Sequence, residues 1–431
     1  MNILHFSTSD IGGGAAKAAH RLHSALRASG HCSQMIVREK LTDDETVIAA
    51  PIRRSQVLWR RAVTCFIPGY AWYQQHDFNP DLPPPVDIES ALAAIKQPVD
   101  IICLHWITGL LSSSLIAKLS MRLHCPLVIV LQDTEPMTGG CHYPGGCDGF
   151  TRQCGCCPQL SSKRSHDRSH VIWLQKQKHL TKLPVTLISG SSWLTAQLRK
   201  SGLWQQGHVI EIADPIDIQI FRPIQLQIAR DLLHLPAQAF ILFFGAFSLT
   251  NPRKGMQYLF EALKRLSTHP LIQHPIFKQR PLHLLVAGHH TATLLNSLPF
   301  PYTAVGYLRD EITLALCYQA ADVFLCPSIE DAGPMMIPES MLCGTPVVAF
   351  DTGIAPDLLG PSQTGYLARF RDSADMAHGI ATVLTEPQPE ESRKRSNATA
   401  LSYHDPKIVA AQHYALYQTL QQEMSSSRKL Q

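Results

Sequence analysis

The chain opens on a short apolar run, Asn2 to Ser7, which breaks at Gly12-Gly13-Gly14. An Ala- and Leu-rich stretch follows, Ala15 to Ser29, with apolar positions at helical spacing. Gly30 then stands where a helix ends, because glycine takes the left-handed conformation without a Cβ clash. The strand–turn–helix pattern repeats. DIICLHW and PLVIVLQD read as buried strands with Leu110 to His124 between them as a helix, and PVTLISG follows as another strand. Continuous apolar runs alternating with helices imply a parallel sheet covered on both faces.

A second round begins near Gln206. VIEIADPID leads through Phe221-Arg222-Pro223 and a helical stretch to AFILFFGAF, after which LHLLVAG, TAVGY, DVFLCPS and TPVVAF read as further strands. The pattern predicts an α/β fold of two doubly wound, Rossmann-like domains facing a central cleft, with ligand at the carboxyl ends of the strands. The first domain covers 1–205 and the second 206–395, joined near Leu203 to Ile216, and a helical segment over 396–431 closes the chain. Glu386 to Asn397 is polar throughout and reads as a loop or helix end, before an amphipathic helix from Asp405 to Leu420. Arg53 to Gln75 fits neither round. Its basic and aromatic residues read as an insertion packed on the first domain, with a lipid- or acceptor-docking patch as the alternative.

At 431 residues the chain is too long for one core and suits two domains. A formal charge of +4 makes no demand for nucleic acid and leaves room for a loose attraction to anionic lipid. No basic region precedes an apolar stretch at the N-terminus, and no apolar run approaches the ~20 residues that span a bilayer. The reading is a cytoplasmic protein, at most peripheral at the inner face of the membrane.

Cysteine placement adds a second kind of chemistry. Cys103, Cys326 and Cys343 sit in apolar segments and read as reduced core residues. Five of the twelve cysteines crowd between Cys141 and Cys157. Four of these, Cys141, Cys147, Cys154 and Cys157, give C-x5-C-x6-C-x2-C within an insertion near 139–160. That spacing suits a closed tetrahedral structural zinc site; an iron–sulfur cluster and a reduced, metal-free loop are the alternatives.

The most informative stretch is CPSIEDAGPMMIPESMLCGTPVVAF, Cys326 to Phe350. A strand enters a loop, Pro338 opens a short helix, Gly344 ends it, and the next strand follows. Loop and helix N–H groups at a strand end favour an anion, and Asp331 and Glu339 stand eight residues apart beside it. Read alone, the two carboxylates are equally well ordinary helix caps.

The stretch resembles the signature of the retaining glycosyltransferase family 4, an acidic residue followed after seven residues by Glu and then by Cys343-Gly-Thr-Pro-Val-Val348. Gly13-Gly14, Asp214-Pro-Ile-Asp217, Arg253-Lys254-Gly255, Gly306-Tyr307, Ala320-Ala-Asp-Val323 and Gly365-Tyr366 match other family features in order. The resemblance implies a GT-B fold, and an enzyme that moves a sugar from a UDP- or GDP-sugar to a saccharide or lipid-linked acceptor with retention. It implies that Arg253 and Lys254 hold the donor diphosphate, that Glu339 binds the ribose, and that Asp331 lies near the donor sugar. Gly333, Pro334, Met335 and Met336 offer backbone to the donor, as do Gly13 and Gly14 from the first domain. The cysteine-bearing insertion resembles that of colanic acid and capsule-type enzymes, which implies exopolysaccharide synthesis without a catalytic cofactor. Three positions depart from the pattern: Asp331 stands where Glu is commoner, Ala246 where Arg is frequent, and Gln132 where His precedes Asp. The acceptor-side candidates are therefore Asp133, His105 and His142. The contrasting reading is an idle nucleotide-sugar-binding or zinc-dependent interaction protein.

Overall fold

The apolar runs fold as two parallel sheets. The computed structural model describes residues 1–65, 78–289, 292–362 and 364–429. The chain divides into two units, Met1–Pro215 with Pro406–Gln431, and Ile216–Asp405.

The first unit holds strands β1 (Asn2–Ser9), β2 (Cys32–Glu39), β3 (Val47–Ala49), β4 (Ile101–Leu104), β5 (Leu127–Leu131), β6 (Val185–Ser189) and β7 (His208–Glu211). They pair in the order β3-β2-β1-β4-β5-β6-β7. Every recorded pairing is parallel. β4, β5 and β6 are buried at every residue, as strands covered on both faces must be. Helix α1 (Gly14–Ala28) follows β1, with Gly13 at φ 103° as its N-cap. Helix α2 (Arg54–Cys65) leaves Leu58 and Trp59 exposed; the rest of the basic and aromatic segment, 66–75, lies outside the described residues. Helix α3 (Arg168–His179) starts on Asp167, whose carboxylate accepts from the backbone N–H groups of Ser169 and His170. The last helix, Pro406–Lys429, returns to this unit and buries Val409, Ala410, Tyr417 and Leu420 with Ile3, Ile101 and Val128.

In the second unit lie β8 (Phe240–Ser248), β9 (Leu282–His289), β10 (Tyr302–Gly306), β11 (Val323–Cys326), β12 (Val347–Phe350) and β13 (Tyr366–Ala368). Their order is β10-β9-β8-β11-β12-β13, again parallel throughout the recorded pairs. Helices α4 (Met256–Ser267), α5 (Met336–Leu342) and α6 (Pro389–His404) belong to this unit. Two apolar layers cover the faces of the sheet, one around Phe243, Tyr318 and Phe324 and the other around Phe244, Leu263 and Val348.

The units divide at Pro215/Ile216, at the far end of the join expected over Leu203 to Ile216, because β7 and the residues after it stay with the first sheet. The segment expected over 396–431 is not one body: its first part ends α6 in the second unit, and the helix from Pro406 packs on the first. The polar run expected as a loop or helix end is the start of α6, whose buried face is Ser392, Ser396, Ala400 and His404 at four-residue spacing. Small side chains let α6 pack closely without an apolar stripe.

Candidate active site

In each sheet the strand order reverses direction once, beside β1 and β4 in the first and beside β8 and β11 in the second. Loops leaving adjacent strands there part to opposite faces and open a crevice. The predicted donor residues of the second unit come from its two switch-point loops. After β8, Pro252–Lys254 forms one 3-10 turn capped by Asn251, whose side-chain oxygen accepts from Arg253 N–H. Gly255 closes the turn at φ 65°, and a Cβ there would run into the carbonyl of Pro327. Glycine is therefore required, and the loop lies flat on the one leaving β11. Ile329 N–H donates to the Arg253 carbonyl at 2.9 Å, which ties the two loops together.

That packing delivers the cations. Lys254 Nζ lies 2.5 Å from Asp331 Oδ2, and Arg253 Nη1 lies 4.0 Å from the same oxygen. Arg253 Nη1 also donates to the Glu330 carbonyl at 2.8 Å. Both basic side chains keep 23% of their surface open while Asp331 keeps 10%. They are held by protein on one side and available to an anion on the other. Gly333 has no heavy atom within 4 Å of where a Cβ would stand, so a ligand can reach its backbone.

α5 starts at Met336, two residues before Pro338, and spans seven residues. Proline is tolerated there because first-turn N–H groups lack helical partners in any case. Glu339 in that first turn is 6% exposed, and the Tyr318 hydroxyl donates to its Oε2 at 3.4 Å. Burial pushes the Tyr318 hydroxyl well above the usual tyrosine range, with the Glu339 carboxylate adding to the shift. Tyr318 is thus a neutral donor that fixes the carboxylate.

Three aromatic rings add a feature that sequence reasoning missed. Phe247, His289 and Tyr307 stand at the carboxyl ends of β8, β9 and β10. His289 and Tyr307 stack at 4.8 Å, with Phe247 edge-on to both at 5.2 and 5.1 Å. Phe247 is 67% exposed and Tyr307 40%, an unusual outlay of apolar surface. A flat ligand face, a base or a pyranose, would stack there.

In the first unit Gly13 and Gly14 cap α1 with open space where side chains would project. Of the acceptor-side candidates, the structure brings two together. His142 Nδ1 donates to Asp133 Oδ2 at 2.6 Å, and Trp106 Nε1 donates to the same oxygen at 2.9 Å. Nδ1 then carries the proton, which leaves Nε2 to accept from the Thr108 hydroxyl at 3.3 Å. The pair sits just beyond β4 and β5, and both residues are buried. His105 goes elsewhere: it stacks on His5, with Nε2 2.9 Å from His5 Nδ1. Burial brings its pKa down to about 3, so it is a neutral core histidine. Gln132 is also occupied, donating to Asp214 Oδ1 at 3.2 Å. Trp106 and Thr108 were missed because they anchor His142 only once the cysteine-bearing loop has folded back.

Cys141, Cys147, Cys154 and Cys157 line one small cavity with Phe78 and Gly139. Burial pushes the Cys154 thiol up to about 11. Among the described residues no three His, Cys, Asp or Glu side chains are already close enough to hold a metal ion. The loop is anchored by Lys176 on α3, which donates to Glu135 Oε1 at 2.6 Å and to the Thr138 carbonyl at 3.1 Å.

Residues 238–386 match the family described as "Glycosyl transferases group 1". The match lies inside the second unit and includes both switch-point loops. The D-inositol 3-phosphate glycosyltransferase of Saccharomonospora viridis is 29% identical over 188 residues, 41% of this chain and 42% of that protein. The matched part thus spans less than half of the relative. Among solved structures, sucrose-phosphate synthase from Thermosynechococcus elongatus aligns over 97% of this chain and 99% of its own, with a TM-score of 0.66 at 18% identity. HepE from Anabaena, solved with UDP, aligns over 97% and 100% with a TM-score of 0.61 at 17% identity. At these identities the likeness to solved structures establishes the fold, which is GT-B, two Rossmann-like units in one chain. Among the described residues, no helix is long and apolar enough to cross a membrane.

Proposed function

We propose that this chain is a retaining glycosyltransferase of the family 4 type that takes a nucleoside diphosphate sugar as donor. The observation that carries the reading is the pair Arg253 and Lys254, presented half-open against Asp331 at the switch point of the second sheet. Cleaving a sugar–phosphate bond builds negative charge on the departing diphosphate, and two fixed cations lower that barrier without moving a proton. No cofactor is assigned to the step. Glu339, held by Tyr318, takes the ribose hydroxyls, and the backbone from Gly333 to Met336 takes sugar and phosphate. The rings of Phe247, His289 and Tyr307 offer the base a stacking face. UDP in the HepE structure favours a UDP-sugar over a GDP-sugar.

Acceptor handling is assigned to Asp133 and His142. With Nδ1 committed to the carboxylate, His142 Nε2 exchanges its Thr108 contact for an acceptor hydroxyl, which it orients or from which it takes the proton. The acceptor is a saccharide or a lipid-linked saccharide of a surface polysaccharide. Exposed Leu58 and Trp59 beside the Arg53, Arg54 and Arg60 positions favour working at the cytoplasmic face of a membrane.

A thermal-shift panel with UDP- and GDP-sugars tests the donor. A sugar nucleotide at ~100 times its dissociation constant adds about 2.7 kcal/mol of stability and raises the melting point. The expected result is a shift with one nucleotide series, followed by transfer with retained anomeric configuration. No shift with any sugar nucleotide would remove the proposal.

A further inference from the structure

The cysteine loop plays no part in the transfer just described, yet its geometry is specific. Cys141, Cys147, Cys154 and Cys157 line one cavity of about 20 Å³. That is room for a single small sphere, since one water-sized probe occupies roughly 10–15 Å³. All four are free thiols, so nothing joins the sulfurs to one another. Two sulfurs already accept backbone hydrogen bonds, Cys154 Sγ from Gly139 N–H at 3.2 Å and Cys147 Sγ from Gly149 N–H at 3.4 Å. Backbone N–H donors of this kind would also serve metal-bound sulfurs, which accept more strongly than neutral thiols.

The backbone between Cys154 and Cys157 makes the same point. Gly155 lies at φ 151° and Cys156 at φ 48°, and the Cys157 N–H is held by Asp167 Oδ2 at 2.8 Å. This tight knuckle points Cys154 and Cys157 to the cavity while Cys156 stays exposed. Gly139 admits the first turn: a Cβ there would meet the Ser169 carbonyl and come within 2.8 Å of Cys154 Cβ.

We propose that Cys141, Cys147, Cys154 and Cys157 bind one thiophilic divalent cation of the zinc class in a closed tetrathiolate site. Binding exchanges four S–H bonds for four metal–sulfur bonds and releases four protons to solvent, with no change of oxidation state. The sulfurs turn inward on a backbone already in place, and closure ties the loop carrying His142 to the start of α3.

The test uses the full chain purified under reducing conditions. Elemental analysis after desalting should find one zinc per chain, and chelation should lower the melting point. Refolding or exchange with cobalt should give sulfur-to-cobalt charge-transfer absorption and the intense visible bands of a tetrahedral ion. Cys147→Ser and Cys157→Ser should each weaken metal binding at least tenfold, while Cys156→Ser should keep the full stoichiometry. Metal far below one ion per chain, with no tetrahedral cobalt spectrum and all four thiols shown to be reduced, would overturn the proposal. So would disulfides among the four, or iron with sulfide absorption in the protein as isolated. If the serine variants do not fold, the cobalt spectrum of the native chain decides alone.

Discussion

Two lysine–carboxylate pairs, one in each unit, have nearly the same length and opposite surroundings. Lys176 lies 2.6 Å from Glu135 with 3% and 8% of the side chains exposed, and Lys254 lies 2.5 Å from Asp331 with 23% and 10% exposed. Lys176 uses its ammonium protons on Glu135 Oε1, the Glu135 carbonyl and the Thr138 carbonyl, and Asn79 donates to the same carboxylate. Its charge is consumed by protein. The bond recorded for Lys254 reaches Asp331, and Arg253 Nη1 stands 4.0 Å from the same oxygen, with both basic side chains part-open. An ion pair enclosed by backbone acceptors fixes a loop; one left part-open can receive an anion.

Substitution separates the two uses. Lys176→Met should produce the largest stability loss, about 3–5 kcal/mol, because it strands a buried carboxylate; denaturant unfolding measures it. A loss below about 1 kcal/mol would put Lys176 in the same class as exposed pairs. Replacing both Arg253 and Lys254 by Ala strands Asp331 and so lowers stability too, but its distinguishing effect is on turnover, lowered by ~10²–10³, about 3–4 kcal/mol in the barrier. Steady-state kinetics with the donor found in the panel reads this out, and wild-type turnover would break the contrast.

A third carboxylate sharpens the comparison. Asp214 is part-buried, and its Oδ1 accepts from an amide, Gln132. Burial raises its pKa from 3.8 to about 6. The folded state therefore keeps a proton that the unfolded state has released, and the stability this brings is full below pH 4 and lost as pH rises through about 6. Asp214→Asn lacks that loss. Its stability relative to wild type should grow by up to about 3 kcal/mol between pH 4 and 7. Parallel melting curves across that range check it, and a constant difference would show that Asp214 is charged throughout.

Sequence legibility followed the same divide. Most strands were readable because burial on both faces writes an unbroken apolar run, as in LVIVL or FILFF. β2 was not, since Ser33 and Gln34 interrupt its run, and α6 was not, since its buried face is marked by size and not by hydrophobicity. Arg253, Lys254, Asp331 and Glu339 were legible because two strand-end loops carry them in compact local patterns. The aromatic trio was not: its three rings follow three different strands and meet only when the sheet forms. Asp133 and His142 were named as separate candidates, and His105 stood beside them until the fold turned it towards His5.

The division of the chain has a consequence for synthesis. The first unit contains Met1–Pro215 and then, after the whole of Ile216–Asp405, the last helix. Val409, Ala410, Tyr417 and Leu420 complete a core whose other members are made early. At ~5–20 residues per second, the intervening stretch of roughly 190 residues delays that helix by about 10–40 s. Throughout that interval the nascent first sheet carries an uncovered apolar face, where a chaperone or a wrong partner can bind before the rightful cover leaves the ribosome.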